Sequence, residues 1–294
     1  MALLNPLHLK TVVAIGTLDK RGKFVCQATG FLVGFLAKNS KDPTKRAYYV
    51  FLVTNRHVFD GKDGVHLRFN LQNGKSEVVA QALKFPNREL RWLAHPNKKV
   101  DLALLNVIPQ VLINRSIDYI FFNEELFALQ RNFGKLGISV GDEVYALGFP
   151  MGFAGVTQNF PYAKIGIISR FDKELLRNNK AFLIDSSIFP GNSGGPVILK
   201  PTNISLTNTK PVSSTHLLGA ITGYLPYREE LYTHQTTPPS VVSLEREHSG
   251  LSFVVPMDYV KQIFNRWMKA RKRLEKAQES KGDQPISPEI KTSV

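Results

Sequence analysis

Three residues far apart in the chain have the types that nucleophilic acyl transfer requires. Ser193 lies in FPGNSGGPV (189–197), crowded by Gly191, Gly194 and Gly195 and followed by Pro196. Such a run is turn material, since Gly, Asn and Ser are what turns are made of. It also suits a loop that holds a reactive hydroxyl and aims backbone N–H groups at a developing negative charge. A serine nucleophile needs a base to take its proton, a third group to orient that base, and donors facing the oxyanion. His57 in VTNRHVF follows a strand-like run, and Asp101 in NKKVDLALL opens another. Singly, each has an ordinary reading as a structural histidine, a strand cap or a turn. Together, in this order and on β-structure, they point to a catalytic set.

The elements that must position these residues read as short strands. Apolar, β-branched and aromatic runs recur between turn signals, the pattern of an all-β sandwich or barrel. A first set covers 11–18, 29–36, 47–54, 65–70, 76–85 and 101–107. A second covers 143–149, 163–169, 181–187, 196–200, 216–225 and 251–255. The phenylalanine-rich stretch from Asn106 to Gly141 separates them as a connector. About six strands on each side predict two antiparallel barrels rather than one. From Tyr259 to Lys276 the period changes: Val260, Ile263, Phe264, Trp267, Met268 and Leu274 recur at helical spacing. A C-terminal helix is expected there, laid on the second barrel. The expected division is 1–136 (first barrel and connector), 137–257 (second barrel), 258–276 (helix) and 277–294 (disordered tail). Residues 201–215 and 226–250 read as two long loops.

Of the 294 residues, 43% are hydrophobic, enough for a sizeable core. Cys26 is the single cysteine, so no internal disulfide can form, which fits a reducing compartment. The first residues do not read as a signal peptide, and no window has the composition of a membrane span. A cytoplasmic protein is expected. The net charge of +14 concentrates in residues 1–100, with 17 Lys+Arg against 6 Asp+Glu, and in the tail. Such basic regions could attract nucleic acid. The charges are scattered with no nucleic-acid module beside them, which favours a solvated surface. His8, His66, His95, His216, His234 and His248 show no metal-ligand spacing, so no metal and no cofactor are expected.

TGFLV, VTNRHV, DLALLNV, VGDEVYALGFP, AKIGIIS, IDSSIFPGNSGGPV, LLGAITG and GLSFVVPMDYVKQI occur in order over roughly residues 10–265. With them the chain resembles trypsin-like serine peptidases of the chymotrypsin fold, most closely the bacterial HtrA/Deg-like protease domain. The order His…Asp…Ser is that of the chymotrypsin-type triad. The resemblance implies an all-β fold of two six-stranded antiparallel barrels with the active site between them. It also implies His57 as general base, Asp101 as its orienting carboxylate, Ser193 as nucleophile, and the N–H groups of Gly191 and Ser193 as oxyanion hole. By approximate alignment, Ser187, Ile188, Tyr224 and Leu225 would wall the pocket for the side chain before the scissile bond. No acidic residue stands at the pocket base, so cleavage after a small or medium apolar residue is expected.

The chain departs from secreted trypsins in how it would be activated, and from HtrA-like proteins in what accompanies the protease domain. Asn192, directly before the serine, carries no charge to pair with a new α-amino group, and no activation sequence is present. Propeptide removal is therefore not expected, and the resemblance implies control by loops that order when substrate or an activating protein partner binds. HtrA-like proteins usually also carry a targeting segment and a PDZ domain, and neither is read here. The expectation is a serine endopeptidase acting on protein or peptide substrates. The alternative is a partner-controlled or inactive protease-fold module that binds protein or nucleic acid.

Overall fold

The computed structural model describes residues 4–42, 45–202, 211–212, 214–233 and 240–279. Its first half contains β1 (Val12–Leu18), β2 (Phe24–Lys38), β3 (Ala47–Thr54), the one-turn helix α1 (Arg56–Phe59), β4 (Gly64–Asn70), β5 (Ser76–Ala82), β6 (Trp92–Ala94) and β7 (Ala103–Val107). The connector supplies α2 (Pro109–Asn114), β8 (Phe122–Asn123) and α3 (Phe133–Leu136). The second half contains β9 (Glu143–Gly148), β10 (Tyr162–Arg170), α4 (Lys173–Asn179), β11 (Phe182–Asp185), β12 (Pro196–Leu199), β13 (His216–Thr233), β14 (Ser240–Pro256) and α5 (Met257–Glu279).

The second half closes into the expected six-stranded barrel, β10-β11-β14-β13-β12-β9, with antiparallel neighbours throughout. The first half differs from the expected six. It is an eight-stranded sheet in the order β5-β4-β1-β2-β3-β7-β6, with β8 lying parallel to β2. The extra strands, β6 and β8, are three and two residues long, too short to leave a period in the sequence. The two ends of this sheet meet through the hairpin joining β5 to β6. There Lys84 pairs with Leu90, and the Phe85 N–H donates to the Glu89 carbonyl at 2.8 Å.

The near-continuous apolar runs of the first sheet arise because both of its faces are buried. Along β1, Val13 and Ile15 point into a core with Leu32, Leu52, Leu67 and Phe69, inside the curl of the first sheet. Val12 and Ala14 point the other way, as the twofold period of a strand requires. They join Phe31, Val33, Phe51 and Val53 in a core shared with Leu147, Phe149, Ile198 and Leu217 of the second half. That shared core holds the two halves together. A third core, including Val144, Ile168, Ile184 and Val254, fills the closed barrel.

Helix α5 is present; it starts against β13 and β14 of the second barrel, as expected, and carries its aromatic stripe on to the first sheet. Phe264 stacks on Phe35 with ring centroids 3.7 Å apart, and Trp267 meets Tyr49 and Phe51 edge-on. Its hydrophobic stripe was legible in sequence; its reach onto the first sheet was not. The described parts of the expected loop 226–250 also differ from it, residues 234–239 lying outside the described residues. β13 and β14 continue past the barrel as a two-stranded ribbon, paired from Pro226 opposite His248 to Thr233 opposite Ser240. In the other expected loop, Thr202 and Val212 form a bridge, and 203–210 lie outside the described residues, as do residues 280–294 of the expected tail. No described helix is long and apolar enough to cross a membrane.

Candidate active site

The antiparallel pairing of β3 with β7 brings His57 and Asp101 together. Thr54, at the end of β3, faces Ala103, at the start of β7. His57 sits on α1 three residues beyond Thr54, and Asp101 two residues before Ala103. Asp101 grips this histidine twice: Oδ2 lies 2.7 Å from His57 Nδ1, and Oδ1 accepts the His57 backbone N–H at 3.0 Å. The fully buried Asn55 adds a third tie, its Nδ2 donating to the Asp101 carbonyl at 2.9 Å. From the opposite barrel, Thr222 Oγ1 on β13 donates to Asp101 Oδ2 at 2.5 Å. Burial opposes the Asp101 charge, but the hydrogen bonds from His57 and Thr222 outweigh it and hold the carboxyl below the usual carboxylate range. With both ring edges distinguished, Nδ1 faces the carboxylate and Nε2 is left for the opposite side.

The loop before β12 carries Ser193, and its backbone is over-determined. Gly191 has φ +98°, and a Cβ there would stand 2.2 Å from the Phe149 carbonyl. Gly194 has φ +85° and packs against Thr29 and Thr54, where a Cβ would lie 2.2 Å from the Thr29 carbonyl. These two glycines are therefore required by conformation and by space. Peptide planarity then aims the donors, since N–H and C=O of one trans unit point in opposite directions. The Pro190 carbonyl accepts the Met151 N–H at 2.6 Å, so the Gly191 N–H is turned to the other side. The Asn192 carbonyl accepts the Gly195 N–H at 2.9 Å, which turns the Ser193 N–H likewise. Neither the Gly191 nor the Ser193 N–H meets a backbone acceptor among the described residues. Two free donors at this spacing can receive an oxyanion.

Thr29, on β2 and wholly buried, anchors the same loop. Its N–H donates to the Ser193 carbonyl at 2.9 Å, its Oγ1 donates to the Gly191 carbonyl at 2.6 Å, and that oxygen accepts the Phe149 N–H at 3.1 Å. Thr29, Thr222, Asn55 and the Met151 turn were not singled out from sequence. Threonine on a strand is too common to signal a role, and the contacts span 121 positions for Thr222 and 162 for Thr29. No hydrogen bond joins Ser193 Oγ to the His57 ring among the described residues. A hollow of about 270 Å3 opens beside His57, lined by Arg56, Asp60, Lys98 and Asp101.

The other candidates fall out as follows. Ser187 is exposed, and its carbonyl accepts Lys164 Nζ at 2.6 Å, with the ammonium also 4.2 Å above the Phe189 ring. Ile188 points into the core of the second barrel, 2% exposed. Tyr224 is half-buried opposite Ser252, and Leu225 is exposed. Asn192 is fully buried, and its amide has no partner among the described residues. Cys26 is buried and its thiol pushed up to about 12 by burial, so at neutral pH it is no thiolate nucleophile.

Comparison with known proteins brings in a family. The model of the trypsin-like peptidase domain matches residues 28–203, a span containing His57, Asp101 and Ser193. The magnetosome formation protease MamE of Paramagnetospirillum magneticum is 26% identical over 164 residues, 54% of this chain and 18% of that protein. A serine protease DegP homolog of Plasmodium falciparum is 30% identical over 155 residues, 51% of this chain and 14% of that protein. The chain thus spans less than a fifth of the length of either relative. Among solved structures, the MamO protease domain from Magnetospirillum magneticum, in its apo form, aligns with 88% of this chain and 98% of its own. The identity is 13% and the TM-score 0.48.

Proposed function

The chain belongs to the trypsin-like peptidase domain family, and from that premise we propose that it is a serine endopeptidase cleaving protein or peptide substrates through an acyl-enzyme. The observation that carries the reading is the double grip of Asp101 on His57, completed by Thr222 from the barrel that also holds Ser193. In this reading Ser193 Oγ attacks the scissile carbonyl and His57 Nε2 takes its proton. Asp101 holds the imidazole in the right tautomer and stabilises the imidazolium, and the Gly191 and Ser193 N–H groups receive the oxyanion. The imidazolium then gives its proton to the leaving amine, and water repeats the sequence on the acyl-enzyme.

Substrate selection is proposed to involve Ser187, Tyr224 and Leu225, with Ile188 supporting them from within. A lysine ammonium at the Ser187 carbonyl would repel a basic side chain entering there. That supports cleavage after a small or medium apolar residue; a peptide-library profile dominated by Lys or Arg overturns it. The division into 1–136 and 137–257, and a cytoplasmic location suited to a single free cysteine, belong to the same proposal.

A second reading draws on the missing Ser193–His57 hydrogen bond: a module silent until a partner closes the pair. Catalytic hydrogen bonds are often long in substrate-free enzymes, so the first reading is preferred. A fluorophosphonate probe separates the two. Labelling of the native protein that disappears in Ser193→Ala and His57→Ala is expected. Absence of labelling moves the binding-module reading ahead.

A further inference from the structure

We infer that Arg68 is a positioning residue for the oxyanion donors, acting through the segment 149–159 that joins the first sheet to the nucleophile loop. The inference rests on the protease reading above. Arg68 lies on β4, 6% exposed. Its guanidinium reaches out of the first sheet into the turn between β9 and β10: Nη1 donates to the Gly155 carbonyl and Nη2 to the Val156 carbonyl, both at 2.8 Å. Nε donates to Ser76 Oγ at 2.9 Å, and that hydroxyl in turn donates to the Thr157 carbonyl at 2.8 Å. Asn159 closes the clamp. Its N–H donates to Asn70 Oδ1 at 2.6 Å, its Nδ2 donates to the Arg68 carbonyl at 2.6 Å, and its carbonyl accepts Asn70 Nδ2 at 2.9 Å.

The near end of the same segment holds the oxyanion peptide. Phe149 N–H is bound by Thr29, and two residues later the Met151 N–H takes the Pro190 carbonyl, which is what turns the Gly191 N–H toward the site. Apolar burial does little to fix the segment between these ends. Only the methyl of Ala154 is buried there, while Phe153 and Val156 are 55% and 96% exposed. Its shape therefore depends on its polar anchors.

A packing role alone does not account for an arginine here. Burying a guanidinium is costly, and among the described residues no carboxylate pairs with Arg68 to offset the cost. Only a planar fork with several donors can hold two successive carbonyls and a hydroxyl at once. An apolar side chain of similar length would fill the space and leave those carbonyls unpaired.

The test uses the full chain with Arg68→Met, Arg68→Lys and, as an exposed control, Arg21→Met. Two quantities are read: amide hydrogen exchange at Met151, and the concentration dependence of fluorophosphonate labelling. In Arg68→Met, Met151 exchange should rise and the maximal labelling rate fall, each at least about tenfold, part of what loss of one oxyanion donor costs. The probe concentration giving half the maximal rate should stay put. Arg68→Lys should fall between, and Arg21→Met should match the native protein. From the near end, Thr29→Val should lower the maximal rate and Thr29→Ser restore it. Unchanged Met151 exchange in a folded Arg68→Met overturns the inference. If that variant does not fold, native-like exchange in Arg68→Lys does so. If the native protein is not labelled at all, the protease reading fails, and Met151 exchange alone decides the role of Arg68.

Discussion

Asp101 concentrates the residue-scale chemistry, because one carboxylate serves the histidine ring, the histidine backbone and a threonine from the other barrel. Each bond favours its charged form, and together they overcome the burial that opposes it. The sign follows directly. A carboxyl whose folded pKa is lowered contributes stability fully above its unfolded value of about 3.9, and loses it as pH falls through the folded value. Thr222→Val removes one of these bonds and moves the carboxyl back upward. Thermal melts of the native and Thr222→Val proteins should therefore differ at pH 7, and the difference should shrink as pH falls through the lowered folded value. An equal difference at every pH would mean that the hydroxyl acts by packing and not through the carboxylate. His57, Asp101 and Ser193 could be named from sequence because each lies in a recognisable motif, VTNRHV, DLALL and GNSGG, and the structure places His57 and Asp101 in contact. Thr222 and Thr29 could not, because their significance lies wholly in what they touch.

At the scale of elements, helix α5 is the clearest case of a legible element with an illegible partner. Its apolar stripe demands burial, but a stripe does not name the surface that covers it. The structure lays Phe264 on Phe35 and Phe51, and Trp267 on Tyr49 and Phe51, all aromatic groups of β2 and β3. Phe264→Ala should lower unfolding stability by about 3–5 kcal/mol, the usual cost of emptying a buried phenylalanine site, as read by denaturant titration. A loss below about 1 kcal/mol would place the helix on the surface as an accessory. The ribbon formed by β13 and β14 beyond Pro226 illustrates the reverse difficulty. Its strands continue past the barrel by backbone pairing, from Pro226 opposite His248 to Thr233 opposite Ser240, and the sequence there shows turn residues rather than a strand period.

For the whole molecule, the decisive feature is that the two halves share a core. Phe31, Phe51 and Val53 from the first sheet, Leu147, Phe149 and Ile198 from the barrel, and Ile263 from α5 belong to one buried cluster. Neither half can expose that cluster without uncovering apolar surface of the other. Calorimetry should therefore show a single cooperative transition with matching calorimetric and van't Hoff enthalpies. Two resolved transitions would mean that the halves are independent domains meeting at a weak interface. The same union places Asp101 and His57 on one half, Thr222 and Ser193 on the other, with Thr29 and Arg68 reaching across.

The sequence by itself determined what is local. Apolar, β-branched and aromatic runs between turn signals set most strands, residues 189–197 set a glycine-crowded loop around Ser193, and helical spacing set α5. It also determined the family, since the matched motifs lie in order along the chain. Tertiary structure alone decided how many strands the first sheet has, how far α5 reaches over it, and that 226–233 pair with 240–248 as a ribbon. It alone also decided which way the Gly191 and Ser193 N–H groups turn. Most of those outcomes depend on which surface or strand a segment meets in space, and a meeting between residues far apart leaves no period or spacing for a sequence to display.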